Sequence, residues 1–156
     1  TGDSARWSVG ALVSRFTNGD DEPSALTLER PYGFGTFSRV GIRTAWQLDT
    51  RRRRAAPQPE EFLDRTYRTG DPYEGFEIRV GTDVTPPLLD VRGWFGGVDG
   101  FVTAYVPVAH RVTLAIRAGG RHVWGEFPWQ AAAFIGGDDS VRGYRPQRFA
   151  GRSSLY

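Results

Sequence analysis

The sequence contains no cysteine, no methionine and no lysine. Absence of cysteine removes disulfides and thiolate metal sites, and it suits an exported protein without requiring one. Absence of methionine leaves no initiator, so the chain reads as an internal piece of a longer precursor, cut at its start and again near Tyr156, where another strand would open. Thr1-Gly2-Asp3-Ser4 offers neither the basic nor the apolar region of a signal peptide. No apolar run reaches about 18 residues, which excludes a transmembrane helix on length. Absence of lysine makes arginine the whole basic complement. With 20 basic and 18 acidic side chains the formal net charge is only +2, so the high pI reflects the pKa of arginine and does not imply a nucleic-acid partner.

Glycine (20 residues), aromatics (five Trp, six Tyr, ten Phe) and a 39% apolar fraction dominate what is present, a composition that fits a polar-lined barrel as well as a soluble β domain. A barrel strand alternates lipid-facing with lumen-facing residues and so averages out as polar. Alternation recurs along the chain. Phe76, Ile78, Val80, Thr82 and Val84 face one way, with Glu77, Arg79, Gly81 and Asp83 facing the other. Val40, Ile42, Trp46 and Leu48 oppose Arg39, Gly41, Arg43 and Gln47, and Val112, Leu114, Ile116 and Ala118 oppose Thr113, Ala115 and Arg117. Leu89, Val91 and Phe95 oppose Asp90, Arg92 and Trp94; Phe101 to Val108 is apolar on both faces, and Trp7 to Phe16 is a weaker strand. The pattern predicts an antiparallel sheet over residues 36–120, with Ile42, Trp46, Ile78, Val80, Leu114 and Ile116 on one face and Arg43, Glu77, Arg79 and Arg117 on the other.

Strands read at 36–49, 74–85, 88–96, 99–108 and 111–120 leave short turns at Thr85-Pro86-Pro87 and Ala109-His110 and long links at 50–73 and 121–153. Outer-membrane barrels keep short turns on the periplasmic side and long loops outside. On that rule both long links begin outside, while 17–35 is long for a periplasmic turn. The run Arg51-Arg52-Arg53-Arg54 reads as solvated surface, or as a contact for anionic lipid head groups of the outer leaflet. There is no repeat of solenoid length, and residues 1–156 read as one domain or part of one.

Candidate chemistry is sparse. Asp138-Asp139 lacks the alternate ligands and terminal Glu of a calcium loop. His110 and His122 are too few for a zinc site without cysteine. A Ser140, His122, Asp139 triad has no Gly-x-Ser-x-Gly elbow, so no catalytic set and no cofactor are expected. Trp7, Trp46, Trp94, Trp124 and Trp129, with Tyr73, Tyr105 and Phe127, suit interfacial girdles, although Trp94 falls on the polar side of its predicted strand.

The glycine-punctuated stretch Gly136-Gly137-Asp138-Asp139-Ser140-Val141-Arg142-Gly143-Tyr144-Arg145 sets one arginine between Val141 and Gly143, with Tyr144 beside it. A guanidinium facing a lumen cannot be neutralised, so it needs carboxylate, carbonyl or aromatic partners. Without further context an exposed Gly-rich turn accounts for the same residues. The wider segment, Phe134-Ile135-Gly136-Gly137 through Val141-Arg142-Gly143-Tyr144 to Gly151-Arg152-Ser153-Ser154-Leu155-Tyr156, resembles the lid-loop motif of the BamA/TamA family (bacterial surface antigen family). Elsewhere only the strand pattern agrees.

The resemblance implies an all-β fold, an antiparallel transmembrane β-barrel of the bacterial outer membrane, present here as an incomplete barrel truncated at both ends, with a lid loop at about 121–153. It implies non-enzymatic assembly, insertion or translocation of outer-membrane proteins, in which a weak seam templates an incoming strand. It further implies Gly136, Gly137, Val141, Arg142, Gly143 and Tyr144 as the lid-loop motif, with the acidic partner of Arg142 on a later strand beyond Tyr156. Implied partners are outer-membrane lipids, unfolded outer-membrane clients and periplasmic accessory proteins. A passive channel or the barrel of a fused outer-membrane enzyme is the nearest alternative, and a soluble all-β binding module is the third.

Overall fold

The computed structural model of the protein describes residues 4–18, 28–53, 73–109, 112–137, 140–141, 143–145 and 149–156. In chain order its strands are β1 (Ser4–Thr17), β2 (Thr36–Asp49), β3 (Arg52–Arg53), β4 (Tyr73–Thr85), β5 (Phe95–Ala109), β6 (Val112–Gly125), β7 (Ala133–Ile135), β8 (Phe149–Gly151) and β9 (Ser153–Leu155), with one 3-10 turn at Trp129–Ala131. The fold is all-β. Six strands form an antiparallel sheet in the order β1-β2-β4-β5-β6-β9, β3 pairs with β4 off this path, and β7 pairs with β8. Among the described residues β1 and β9 end the order without meeting, so the sheet is not closed into a barrel.

Residues directly opposite in a ladder share a face, so the register carries each face across the sheet. One row runs Trp7, Trp46, Val80, Gly100, Gly120, Leu155 through six strands, and its neighbour on the other face runs Ser8, Ala45, Gly81, Asp99, Arg121, Ser154. The expected separation stands: Ile42, Trp46, Ile78, Val80, Leu114 and Ile116 lie on one face, and Arg43, Glu77, Arg79 and Arg117 lie on the other. The first face is called outer here and the second inner. Outer positions from Ala5 to Val13, Val40 to Leu48, Phe76 to Val84, Gly96 to Val106 and Leu114 to Trp124 include no Asp, Glu or Arg. Much of this apolar surface is uncovered: Trp7 is 77% exposed, Ile42 61% and Ile116 57%.

The structure corrects the predicted strand at 88–96. Only Phe95 and Gly96 of that range are in a strand, and they begin β5, which runs on through Gly97 and Val98 to Ala109. Residues 86–94 are a link, broken by Pro86-Pro87 and by a turn in which Leu89 has a φ of 59°. Gly96 and Gly97 lie within this strand, at positions where neighbours leave no room for a side chain. A Cβ on Gly96 would lie 2.6 Å from the Trp124 ring, and one on Gly97 2.8 Å from Arg121. Likewise β6 extends past the predicted end at 120 to Gly125, so the following link begins at Glu126. A Cβ on Gly119 would meet the Tyr156 ring at 2.7 Å.

Losing one strand reverses the predicted parity. Links 18–35, 86–94 and 126–152 all leave the same end of the sheet, and 50–72 leaves the opposite end with 110–111. At the first end Phe16, Phe37 and Phe95 project from the inner face, and Tyr32, Val91, Phe127 and Ala131 fold onto them from the three links. Phe37, Phe95 and Ala131 are at most 3% exposed, making this cap the hydrophobic centre of the described structure.

The cap is tied by polar contacts. Gln130 Nε2 donates to Gly33 O at 2.6 Å and Trp129 N to Tyr32 O at 3.1 Å. Tyr32 stacks edge-on against Phe37 at 5.5 Å.

Candidate functional site

The inner wall is assembled by the register. Arg43 on β2 lies opposite Asp83 on β4, and Asp99 on β5 lies opposite Arg121 on β6, two residues out of step, with Gly97 beside Asp83 and Gly81 beside Asp99. Each arginine therefore reaches diagonally over a glycine to the second carboxylate. Arg43 Nη2 donates to Asp99 Oδ1 at 2.9 Å and Oδ2 at 3.2 Å. Arg121 donates from Nη1 to Asp99 Oδ1 and from Nη2 to Asp83 Oδ1, both at 3.1 Å, and Arg43 Nη1 stands 3.6 Å from Asp83. A Cβ on Gly81 would sit 3.0 Å from Arg43 Nη2, so the two glycines make the crossing sterically open. Two guanidinium and two carboxylate groups on four strands form a neutral clasp, with Asp83 only 2% exposed.

The wall continues on either side. Arg39 Nε donates to Ser14 Oγ at 3.0 Å and its guanidinium lies 5.6 Å from the Phe95 ring centre. Arg117 lies 3.8 Å over the Phe101 ring, an arrangement favoured by the ring's negative face. Gln47 Nε2 donates to Glu77 Oε1 at 3.2 Å. Just beyond β2, Arg51 binds Asp49 at 2.5 Å and stands 3.6 Å from Glu77. The bond to Asp49 holds the Arg51 pKa above its ordinary value. Within the arginine run Arg51 is paired, Arg52 is exposed, and the Arg52 and Arg53 backbone forms β3 against Glu74 and Tyr73. Arg54 lies outside the described residues.

Two polar pairs form on the outer face. Thr44 and Thr82 hydroxyls are 2.8 Å apart, and His122 Nδ1 is 2.7 Å from Ser153 Oγ. Trp7 and Trp46 pack at 6.2 Å near the Asp49 end, and Trp124 sits beside the Gly125 end. Three other aromatics leave the girdle set: Tyr105 is on the inner face beneath Arg51, Phe127 packs into the cap, and Trp129 is in the 3-10 turn, whereas Trp94 is exposed in the 86–94 link. The Tyr73 side chain lies outside the described residues.

The 126–152 link returns over the inner wall as a small hairpin. Phe134 pairs with Ala150 in β7 and β8, and β9 then joins β6. Phe134, Gly136 and Ser140 line a cavity of about 200 Å³ with Asp99, Phe101, Arg121, Ser154 and Tyr156. Of the motif residues, Gly136, Gly137 and Gly143 have φ of 131°, 87° and 92°, values that favour glycine. Gly136 N donates to Ser140 Oγ at 2.8 Å and Gly137 N to Tyr144 O at 3.1 Å, which joins both sides of the hairpin tip. Tyr144 is half exposed, its ring 5.6 Å from Phe149. Val141 is partly buried, and Arg142, Asp138, Asp139 and His110 lie outside the described residues. Ser140 and His122 are on opposite sides of the sheet, which removes the imagined triad.

The clasp residues Arg43, Asp83, Asp99 and Arg121 were not picked out from the sequence. Their signal is one charged inner residue on each of four strands with glycine in the adjoining row, legible only once the register is known. No protein-family model matches the chain, and no curated protein or solved structure matches it.

Proposed function

We propose that this chain is part of an outer-membrane β-barrel of the BamA/TamA type, acting without chemistry of its own in assembly, insertion or translocation of outer-membrane proteins. The observation that carries the membrane reading is the contrast between faces. An exposed outer face, free of Asp, Glu and Arg over residues 5–13, 40–48, 76–84, 96–106 and 114–124 and with Arg15 beyond them near the cap end of β1, is backed by an inner wall of interlocked charges. In water that outer face would leave roughly 1.5–3 kcal/mol unrealised for each large apolar side chain, which is the reverse of what a soluble module would carry. In lipid the same face is satisfied, and the charged wall faces an aqueous lumen. The hairpin lying over that wall supports a lid role for the motif loop. With the parity of the links corrected, the lid shares its end with 18–35 and 86–94. On this reading the strand ends flanking 50–72 are at the periplasmic end with those flanking 110–111, where 50–72 is long for a periplasmic turn and its arginine run does not meet outer-leaflet head groups.

The assembly role rests on the Val141-Arg142-Gly143-Tyr144 resemblance. Its test is Arg142→Ala in the intact protein, read by heat-modifiable gel mobility and by client assembly in vesicles. Both should fall, with Arg142→Lys recovering only part because an ammonium lacks the planar fork, and Arg145→Ala and Arg148→Ala should matter less. Wild-type mobility and assembly would remove the lid role. Open-pore conductance with intact barrel stability and no client assembly would favour the passive channel, in which the hairpin is a constriction.

A further inference from the structure

The 86–94 link is built in a way that water alone does not explain. Leu88, Leu89 and Trp94 are 54%, 67% and 65% exposed. Leu88 N donates to Pro86 O at 2.8 Å and Val91 N to Leu88 O at 3.3 Å, closing a turn whose first central residue is Leu89. With φ at 59°, Leu89 occupies a place that turns ordinarily give to Gly, Asn or Asp, so a branched apolar side chain is held there against its backbone preference.

The turn is nonetheless firmly fixed. Val91 is buried in the cap, and Asp90 Oδ2 accepts from Ser38 N at 2.7 Å. Arg92 N donates to the Tyr32 hydroxyl at 2.9 Å, and that hydroxyl donates to Asp90 O at 3.3 Å. The Arg92 guanidinium also stands 4.6 Å over the Tyr32 ring.

Exposed apolar surface continues from the outer face to this turn. Val84 ends the outer row of β4 at 40% exposure, and Trp124, 39% exposed, lies over Gly96 next to it. The same link also carries an exposed ion pair, Arg92 with Glu126 at 3.4 Å. Exposed apolar side chains, an indole and a paired charge together suit a membrane interface.

We propose that the 86–94 link is an interfacial anchor, with Leu88, Leu89 and Trp94 seated in the lipid leaflet at the cap end of the sheet. This rests on the reading of the outer face as lipid-facing. The occupant is the bilayer itself: the link follows on β4, whose apolar outer row ends at Val84, and its exposed large side chains Leu88, Leu89 and Trp94 are apolar or amphipathic.

The test uses spin labels on Leu89→Cys, Trp94→Cys and Val80→Cys, each introduced into an otherwise cysteine-free background of the intact protein. The protein is reconstituted in phosphatidylcholine and phosphatidylglycerol vesicles, and collisions with oxygen are compared with those of a water-soluble nickel chelate. At Leu89 oxygen should dominate, as at Val80. Nickel dominating at Leu89 while oxygen dominates at Val80 would overturn the anchor and leave the barrel reading standing. A Leu89 label hidden from both reagents would mean a protein cover and would also overturn it. Nickel dominating at Val80 would sink the outer-face reading itself. Trp94→Cys answers to the same criteria if Leu89→Cys does not fold. As a second measurement, Leu89→Gly should raise the melting temperature in micelles and reduce the fraction inserted into vesicles; unchanged insertion contradicts the anchor.

Discussion

Replacing Asp83 with Ala removes the most enclosed member of the inner clasp. The carboxylate is 2% exposed and holds Arg121 at 3.1 Å and Arg43 at 3.6 Å. At an effective dielectric near 20 a 3.1 Å pair is worth about 5 kcal/mol before desolvation, which takes back several. Breaking a buried pair from one side generally costs about 3–5 kcal/mol. Arg43 and Arg121 retain 37% and 22% side-chain exposure, so lumen water reclaims part of their lost solvation. The expected net loss is therefore about 2–4 kcal/mol. Urea unfolding of the intact protein in lipid vesicles measures it. Arg121→Ala should cost about as much, and the Asp83→Ala/Arg121→Ala pair less than the sum by about 1–3 kcal/mol, because the second change removes a charge the first left unpaired. A single-variant cost under about 0.5 kcal/mol with strict additivity would refute the clasp as a stabilising unit.

Two glycines on the inner face separate close approach from mere flexibility. Gly97→Ala places a methyl 2.8 Å from Arg121 Nη2 and should cost about 1–2 kcal/mol by displacing that bond, as read by urea unfolding, whereas Gly10→Ala meets nothing within 4 Å and should be neutral or stabilising by up to about 1 kcal/mol. The outer hydroxyl pair tests the lipid environment: Thr44→Val alone strands the Thr82 hydroxyl and should cost about 1–2 kcal/mol in bilayers, while Thr44→Val with Thr82→Val should be close to neutral by the same assay.

Alternation made the faces of β2, β4 and β6 readable because a one-residue slip exchanges the two sets. Ile78 and Arg79 cannot trade sides without placing a guanidinium in the apolar face. The strand count was less readable. Gly96-Gly97 and Gly119-Gly120 lie inside strands, where Trp124, Arg121, Tyr156 and Ser154 occupy the space that side chains would need. Leu89, Val91 and Phe95 alternate as a strand would, but Leu89 is in a left-handed turn and only Phe95 joins the ladder. The clasp was hidden for a different reason: Arg43 and Asp99 are 56 positions apart, and their proximity is created by two ladders, β2 with β4 and β4 with β5. The motif glycines were legible, since Gly136, Gly137 and Gly143 adopt the backbone angles their residue type suggests.

Lipid covering the outer face is tested most directly by Val80→Arg in β4. Val80 sits in the middle of the apolar row between Trp46 and Gly100, 39% exposed and without an acidic neighbour on its face. In a bilayer the substitution should destabilise the intact protein by about 2–4 kcal/mol, measured by urea unfolding in vesicles, and the cost should shrink for arginine placed nearer the strand end. A cost within about 0.5 kcal/mol of zero, the usual range for an exposed site in water, would contradict the membrane-barrel reading.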